Sequence, residues 1–493
     1  MRSSLTLVVI FGVALLPAVL SPASARGGRP ELPADLDHRD ARKRLVAVGK
    51  LAEIPGPEAF RALVGALGDE APAVVDRAVE ALAGRNDPEE RAWIARHATR
   101  AGAPAVRAAL ARVIAADAAA ADGGMLVELL DDREAAVRAI AAATLGRIGG
   151  SDHAKPLARR LDDREPSVRV AALEAVVRID PANAATRLEA ATEDGDPAVR
   201  AAAILALGDR RTPEGDARLC EALEDRSWSV QVAAAKSLAR VRSAASIPPL
   251  LDAFERERGR VRDAVRMALW SITGNEFPDD VALWRRWWDR EGASFTPPPI
   301  PPGRGGRTGD GSAAAFHSIP VSSEVVTFVI DTSRSMREPL RDGDPTTKWD
   351  TVRRDLGETV ARLSGDTRFN VVLFGTKVRA WQPRPVPAGA SARARLRRFL
   401  ESVEPAGWTN LYDAVERALG DADVHTLYVL TDGAPSVGRY VRPGDVRGGI
   451  AALNRLRMAQ IHTIDLGATT AGKRWEGLLE GIAEGNDGVS VRR

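Results

Sequence analysis

Cysteine is nearly absent: Cys220 stands alone among 493 residues, which excludes an intrachain disulfide even where the compartment permits one. Between Leu219 and Glu221, in a helical pattern, it reads as a buried small apolar residue. Neither sign of charge is in surplus. With 69 basic and 67 acidic residues the formal charge is +2, so nothing global points to nucleic acid or to a membrane surface. Beyond the first twenty residues no apolar run is long enough to span a bilayer. There is no H-E-x-x-H, no Gly-rich phosphate loop and no G-x-S-x-G elbow. His38, His97, His153, His317, His425 and His462 are scattered. The chain is therefore not expected to be an enzyme.

The residues that are present describe a globular chain, 45% hydrophobic and 28% charged, whose length suits two or three domains at about 150 residues each. Residues 1–25 have the three parts of a secretory signal peptide: basic Arg2, an apolar run from Leu5 to Leu20, and the small-residue site Ala23-Ser24-Ala25. Pro17 interrupts the run, which is short for an anchor. The expectation is export, to a periplasmic, cell-surface or secreted location, with no membrane span after cleavage. Residues 26–35 read as a disordered polar segment.

From residue 36 to 292 the chain repeats. Val75, Val106, Val137, Val168, Val199, Val230 and Val261 are spaced at 31 residues, the signature of a solenoid. Each unit has an Ala-rich helical run, such as Val168-Ala171-Ala172-Val176, followed by a shorter one such as Ala154 to Leu161. Small residues let the helices approach closely. Asp132, Asp163, Asp194 and Asp225 lie five residues before the marker valine, and Arg107, Arg138, Arg169, Arg200 and Arg262 just after it; Asp76 and Gln231 replace that Arg. These units resemble HEAT repeats of the short phycobilisome-lyase-like kind, and the resemblance implies that the Asp and Arg rows bond between neighbouring repeats. Lyase activity does not travel with a generic scaffold. Leu36 to Leu67 reads as a degenerate first unit. The last unit closes with Trp284, Trp287 and Trp288, expected to cap the stack by burying their rings. Residues 293–315, with Pro297-Pro298-Pro299-Ile300-Pro301-Pro302 and then glycines, read as a linker.

Residues 316–493 alternate strand-like and helix-like stretches, which predicts an α/β, doubly wound (Rossmann-like), mostly parallel sheet with helices on both faces. Ile319-Pro320-Val321 is expected at its edge, where proline is tolerated. Val325 to Ile330 reads as a strand buried on both faces, so Asp331, Ser333 and Ser335 emerge at its carboxyl end, where such sheets place ligands. One carboxylate and two hydroxyls at alternate positions suit a hard cation.

Two more stretches, Gly407-Trp408-Thr409-Asn410 and Thr431-Asp432-Gly433, follow in order. Together the three segments resemble the von Willebrand factor type A domain and its metal-ion-dependent adhesion site. The resemblance implies that Asp331, Ser333, Ser335, Thr409 and Asp432 bind a divalent cation, Mg²⁺ above all, with Mn²⁺ or Ca²⁺ as substitutes. It also implies that an Asp or Glu of a protein partner completes the coordination. Arg334 and Trp408 depart from the pattern, standing where glycines are frequent. Either they form a rim, Arg334 pairing with the incoming acid and Trp408 covering its apolar part, or Arg334 is merely solvated and Trp408 packs on a neighbouring loop. The loop Arg337 to Thr347 borders the same face, and Arg393, Arg395, Arg397 and Arg398 read as a solvated basic face. The expected function is adhesion or assembly through the metal site; the alternative is a scaffold that binds through its helices and keeps the metal only as a brace.

Overall fold

The structure, a computed structural model, describes residues 31–116, 123–299, 314–340, 345–467 and 477–493. The signal-peptide segment 1–25, residues 26–30, the middle of the linker (300–313) and part of the loop 337–347 (341–344) lie outside the described residues. Order begins slightly earlier than the sequence suggests, with a 3-10 turn over Ala34–Asp37. The chain divides into two compact units, one ending at Ile148 and one beginning at Gly149.

The first unit consists of helix pairs: Ala41–Leu51 with Pro57–Ala66, Pro72–Ala83 with Pro88–Ala98, and Pro104–Ala116 with Gly123–Leu129, followed by Ala135–Ile148. Proline opens four of these helices, at the position where its missing N–H costs nothing. Arg107 forks onto Asp132 of the next pair at 2.8 and 3.1 Å. Arg44 does the same to Asp69 at 2.7 and 2.9 Å. That rung corrects the repeat register: the buried valine of the second pair is Val74, 1% exposed, and Val75 is only half-buried. Asp76 is therefore not at the Arg position, and it pairs instead with Arg112.

The second unit contains the pairs Pro166–Ile179 with Ala184–Ala191, Pro197–Arg210 with Pro213–Glu221, Trp228–Val241 with Ile247–Arg256, and Gly259–Thr273 with Val281–Glu291. Ala201, Ala202, Ala203, Ala233, Ala234 and Ala235 are all buried in the shared core, so the long helices meet along their alanines. Arg169 forks onto Asp194, and Arg200 onto Asp225 at 2.8 and 2.7 Å. Gln231, which replaces the next Arg, reaches Glu257 at 3.1 Å. The rows are thus an inter-repeat ladder. Arg200 is 4% exposed. Arg200→Ala strands the Asp225 carboxylate and is expected to cost about 3 kcal/mol, read as a lower urea midpoint. Cys220 is half-buried rather than buried, and burial raises its thiol pKa to about 11.

Trp284 is buried, 4.8 Å from the ring of Phe277 and 6.1 Å from that of Trp287, so the tryptophans cap the stack. The start of the expected linker belongs to this cap. Phe295 packs on Trp287 at 5.3 Å, and the Pro298 carbonyl accepts from Arg242 at 2.6 Å.

Among the described residues the C-terminal domain has nine strands: β1 (Ala315–Phe316), β2 (Ile319–Pro320), β3 (Val325–Asp331), β4 (Arg368–Phe374), β5 (Val378–Ala380), β6 (Val386–Pro387), β7 (Thr426–Thr431), β8 (Gln460–Asp465) and β9 (Ser490–Arg492). The main sheet runs β5-β4-β3-β7-β8-β9. Its strands from β4 to β9 are mutually parallel, and β5 and β6 both pair antiparallel with β4. The β1–β2 hairpin is a separate sheet, not an edge of the large one. His317 and Ser318 turn it with φ of 48° and 68°, the left-handed pair that suits a two-residue hairpin. It lies over one sheet face, with Phe316 5.1 Å from Phe328.

Alternation sorts the central strands. Val326, Phe328 and Ile330 face the helices Lys348–Arg362 and Ala390–Glu401, whereas Val325 and Val329 face Leu411–Leu419, Pro443–Asn454 and Leu478–Gly485. Val446 to Met458 reads from the sequence as one helical stretch, but the helix Pro443–Asn454 stops at Asn454. There the Asn454 side chain caps the turn, bonding the backbone N–H and C=O of Ala459 at 3.0 and 2.7 Å, and Met458 takes φ 59°.

Met458 then enters the core of the last helical repeats. Around it, Arg260 donates to the Met458 carbonyl at 3.0 Å and to Asp487, which also accepts from Lys236 at 3.0 Å. Trp228 packs on His425 with ring centres 4.6 Å apart, and burial lowers the His425 pKa to about 4.

Candidate metal centre

From β3 the chain goes to β4 on one side and later to β7 on the other, so the carboxyl ends of β3 and β7 flank the switch point of the sheet. Asp331 is the last residue of β3, and Asp432 directly follows β7. Both are buried, at 0% and 2% exposure.

Asp331 accepts the backbone N–H of Ser333 at 2.7 Å and the hydroxyl of Thr431 at 2.6 Å. Burial, with the charge of Asp432 adding to it, raises the Asp331 pKa to about 7 despite these two bonds. After Asp331 the chain turns through a 3-10 segment, Arg334–Arg337. That turn sets the hydroxyls of Ser333 and Ser335 3.1 Å apart, and Ser335 donates to Asp432 Oδ1 at 2.7 Å. Thr409 arrives from the loop before the helix Leu411–Leu419, held by Ser436 through its N–H at 3.0 Å and its carbonyl at 2.9 Å. A methyl group placed on Gly433 would lie 3.6 Å from the Thr409 hydroxyl and 3.9 Å from that of Ser335. All five expected residues thus meet at one corner.

Two carboxylates and three hydroxyls are hard, oxygen-only donors, and this set fits a hard divalent ion. Among the described residues no three His, Cys, Asp or Glu side chains form a cluster, so a nitrogen or sulfur site of the zinc type has no rival location there.

The expected rim residues are both exposed. Trp408 is 53% exposed, and its N–H donates to the Thr376 hydroxyl at 3.0 Å. Arg334 is also exposed, its N–H bonded to the Gly407 carbonyl at 3.2 Å, so the two loops are tied at their base. Gly407 must be glycine: it holds φ 82°, and a Cβ would lie 2.3 Å from the Thr376 hydroxyl.

Two residues of the site, Ser436 and Lys348, carried no signal in the sequence, and Thr431 stood in its motif without an expected role. Thr431 and Ser436 only orient Asp331 and Thr409. Lys348 is the first residue of its helix and 2% exposed, and its ammonium lies 2.7 Å from Asp432 Oδ2 and 3.3 Å from Glu338.

Comparison with known proteins follows the same division. The HEAT repeats model matches residues 30–115, 124–194 and 184–270, and the von Willebrand factor type A domain model matches residues 326–434. The chain is 32% identical over 125 residues to human inter-alpha-trypsin inhibitor heavy chain H4, a match of 23% of this chain and 13% of that protein's length. Among solved structures, BatB from Bacteroides thetaiotaomicron is 18% identical, covering 35% of this chain and 90% of that chain at a TM-score of 0.27. Proximal thread matrix protein 1 from the mussel byssus, solved with a zinc-occupied MIDAS motif, is 21% identical, covering 34% and 41% at a TM-score of 0.27. No helix among the described residues is long and apolar enough to cross a membrane. The chain carries HEAT repeats within residues 30–270, followed by a von Willebrand factor type A domain over residues 326–434.

Proposed function

We propose that this is an exported, non-enzymatic adhesion or assembly protein whose C-terminal domain grips a partner through a divalent cation. The observation that carries the reading is the meeting of the Ser333 and Ser335 hydroxyls with Asp432 beside the buried Asp331. Asp331, Ser333, Ser335, Thr409 and Asp432 would hold the ion. Bound there, Mg²⁺ would supply electrophilic charge. With only two carboxylates in the set, Asp331 and Asp432, the site would leave part of that charge for an Asp or Glu of a protein partner. The helical repeats carry this site and add surface. Export rests on the sequence of residues 1–25 alone.

The test is a pull-down from the envelope fraction of the exporting cell, run with Mg²⁺, with EDTA, and with Asp331→Ala. Capture that needs both the metal and Asp331 supports the reading. Capture that survives EDTA transfers the function to the repeats and leaves the metal a brace.

The exposure of Trp408 favours the rim arrangement over packing on a neighbouring loop. Trp408→Gly and Arg334→Gly are each expected to weaken a captured acidic partner about five- to thirtyfold, losses of about 1–2 kcal/mol, and to leave Mg²⁺ affinity unchanged. Surface plasmon resonance checks this; no change in either variant refutes the rim.

A further inference from the structure

A lysine at the first position of a helix is disfavoured by the positive end of the helix dipole, and burial of its ammonium is disfavoured by lost hydration. Lys348 bears both costs: it opens Lys348–Arg362, and its side chain is 2% exposed. Its compensation is Asp432, itself 0% exposed at the side chain, 2.7 Å away. Glu338 contributes from 3.3 Å but is 54% exposed, so its charge is largely screened.

Both oxygens of Asp432 are thereby engaged. One oxygen takes the Ser335 hydroxyl and the other takes the ammonium. Of the two buried carboxylate charges available to a cation, Lys348 cancels one. A divalent ion at this corner would sit a few ångströms from a fixed positive charge, in surroundings that screen it poorly. An arriving carboxylate restores the balance.

We propose that Lys348 is a built-in counter-ion that makes cation binding conditional on the acidic ligand, so that metal and carboxylate bind cooperatively and the site without a partner holds its ion weakly. The inference rests on the metal reading of the site and deepens it. By linkage, whatever factor the acid adds to metal affinity, the metal adds to acid affinity.

The test is Mn²⁺ binding followed by electron paramagnetic resonance on the full chain, in sodium acetate and in sodium chloride at equal ionic strength. In the wild type, acetate is expected to tighten Mn²⁺ about tenfold or more, within the usual range of coupling between sites. Lys348→Met, with Lys348→Gln as a second variant, is expected to tighten Mn²⁺ in chloride by about tenfold or more and to shrink the acetate effect to less than about threefold. The wild-type acetate effect needs no variant, so its absence overturns the proposal even if both variants fold poorly. Folded variants that bind Mn²⁺ as the wild type does, or more weakly, also overturn it. If Asp331→Ala abolishes uptake while the Lys348 variants leave it unchanged, the metal site stands and only the counter-ion falls. If the wild type takes up no Mn²⁺, both fall.

Discussion

Asp331→Ala is expected to abolish divalent-cation uptake outright, and Asp331→Asn to do the same while its one carbonyl oxygen still accepts the Ser333 N–H. Asp331 is the anionic donor at the end of the central strand and is wholly enclosed. A ligand that binds only the folded state adds about 2.7 kcal/mol at a hundredfold excess over its dissociation constant. Mg²⁺ together with acetate, at about a hundredfold excess over its dissociation constant, should therefore raise the melting midpoint of the wild type by several degrees and leave both variants unmoved.

The pH dependence has a definite sign. The folded-state pKa of Asp331 is raised from the ordinary 3.8 to about 7. The stability contributed by its proton is complete below about pH 4 and is lost as pH rises through about 7, so the metal-free wild type weakens over that window. Asp331→Asn, which has no proton to lose there, should not weaken. Mg²⁺ competes with the same proton, so its affinity falls about tenfold per pH unit below about 7. Calorimetric melts at pH 5 and pH 8, with and without Mg²⁺, read all of these effects.

Asp487→Asn should weaken the packing of the C-terminal domain on the last helical repeats. Asp487 joins the helical repeats to the C-terminal domain, and the neighbouring Arg260 and Lys236 hold its carboxyl below the usual range in spite of burial. Removing its charge leaves Arg260, 3% exposed, with the Met458 carbonyl and no anion. A fully buried broken pair costs about 3–5 kcal/mol; Asp487 is 37% exposed at its side chain, and the solvent reaching it reduces the expected loss to about 2 kcal/mol. Asn tolerates the φ of 56° at this position, so the substitution tests charge rather than backbone. Urea denaturation gives the loss, and faster amide exchange along β8 places it at the seam.

Local periodicity made the repeats and the alternating C-terminal domain legible, because alanine at helical spacing and apolar strands between helices leave few other ways to bury a core. The strand Val325 to Ile330 lies where the pattern put it. The metal residues were legible through their motif, and the structure adds how they meet. What the sequence hid depends on side chains folding back over distance. The helix before β8 ends early because Asn454 caps it, and Val74 rather than Val75 is buried because the first repeats differ by one residue. The proline-rich stretch reads as linker, yet Phe295 and Pro298 belong to the cap. Nothing in Lys348-Trp349-Asp350 foretells an ammonium sealed against Asp432.

A crystal of the full chain soaked in Mn²⁺ and measured at the manganese absorption edge tests the metal centre most directly. One anomalous peak is expected, bounded by the side chains of Asp331, Ser333, Ser335, Thr409 and Asp432. A crystal that takes up no manganese there, or takes it up only elsewhere, would contradict the metal-dependent grip and leave the helical repeats as the binding surface.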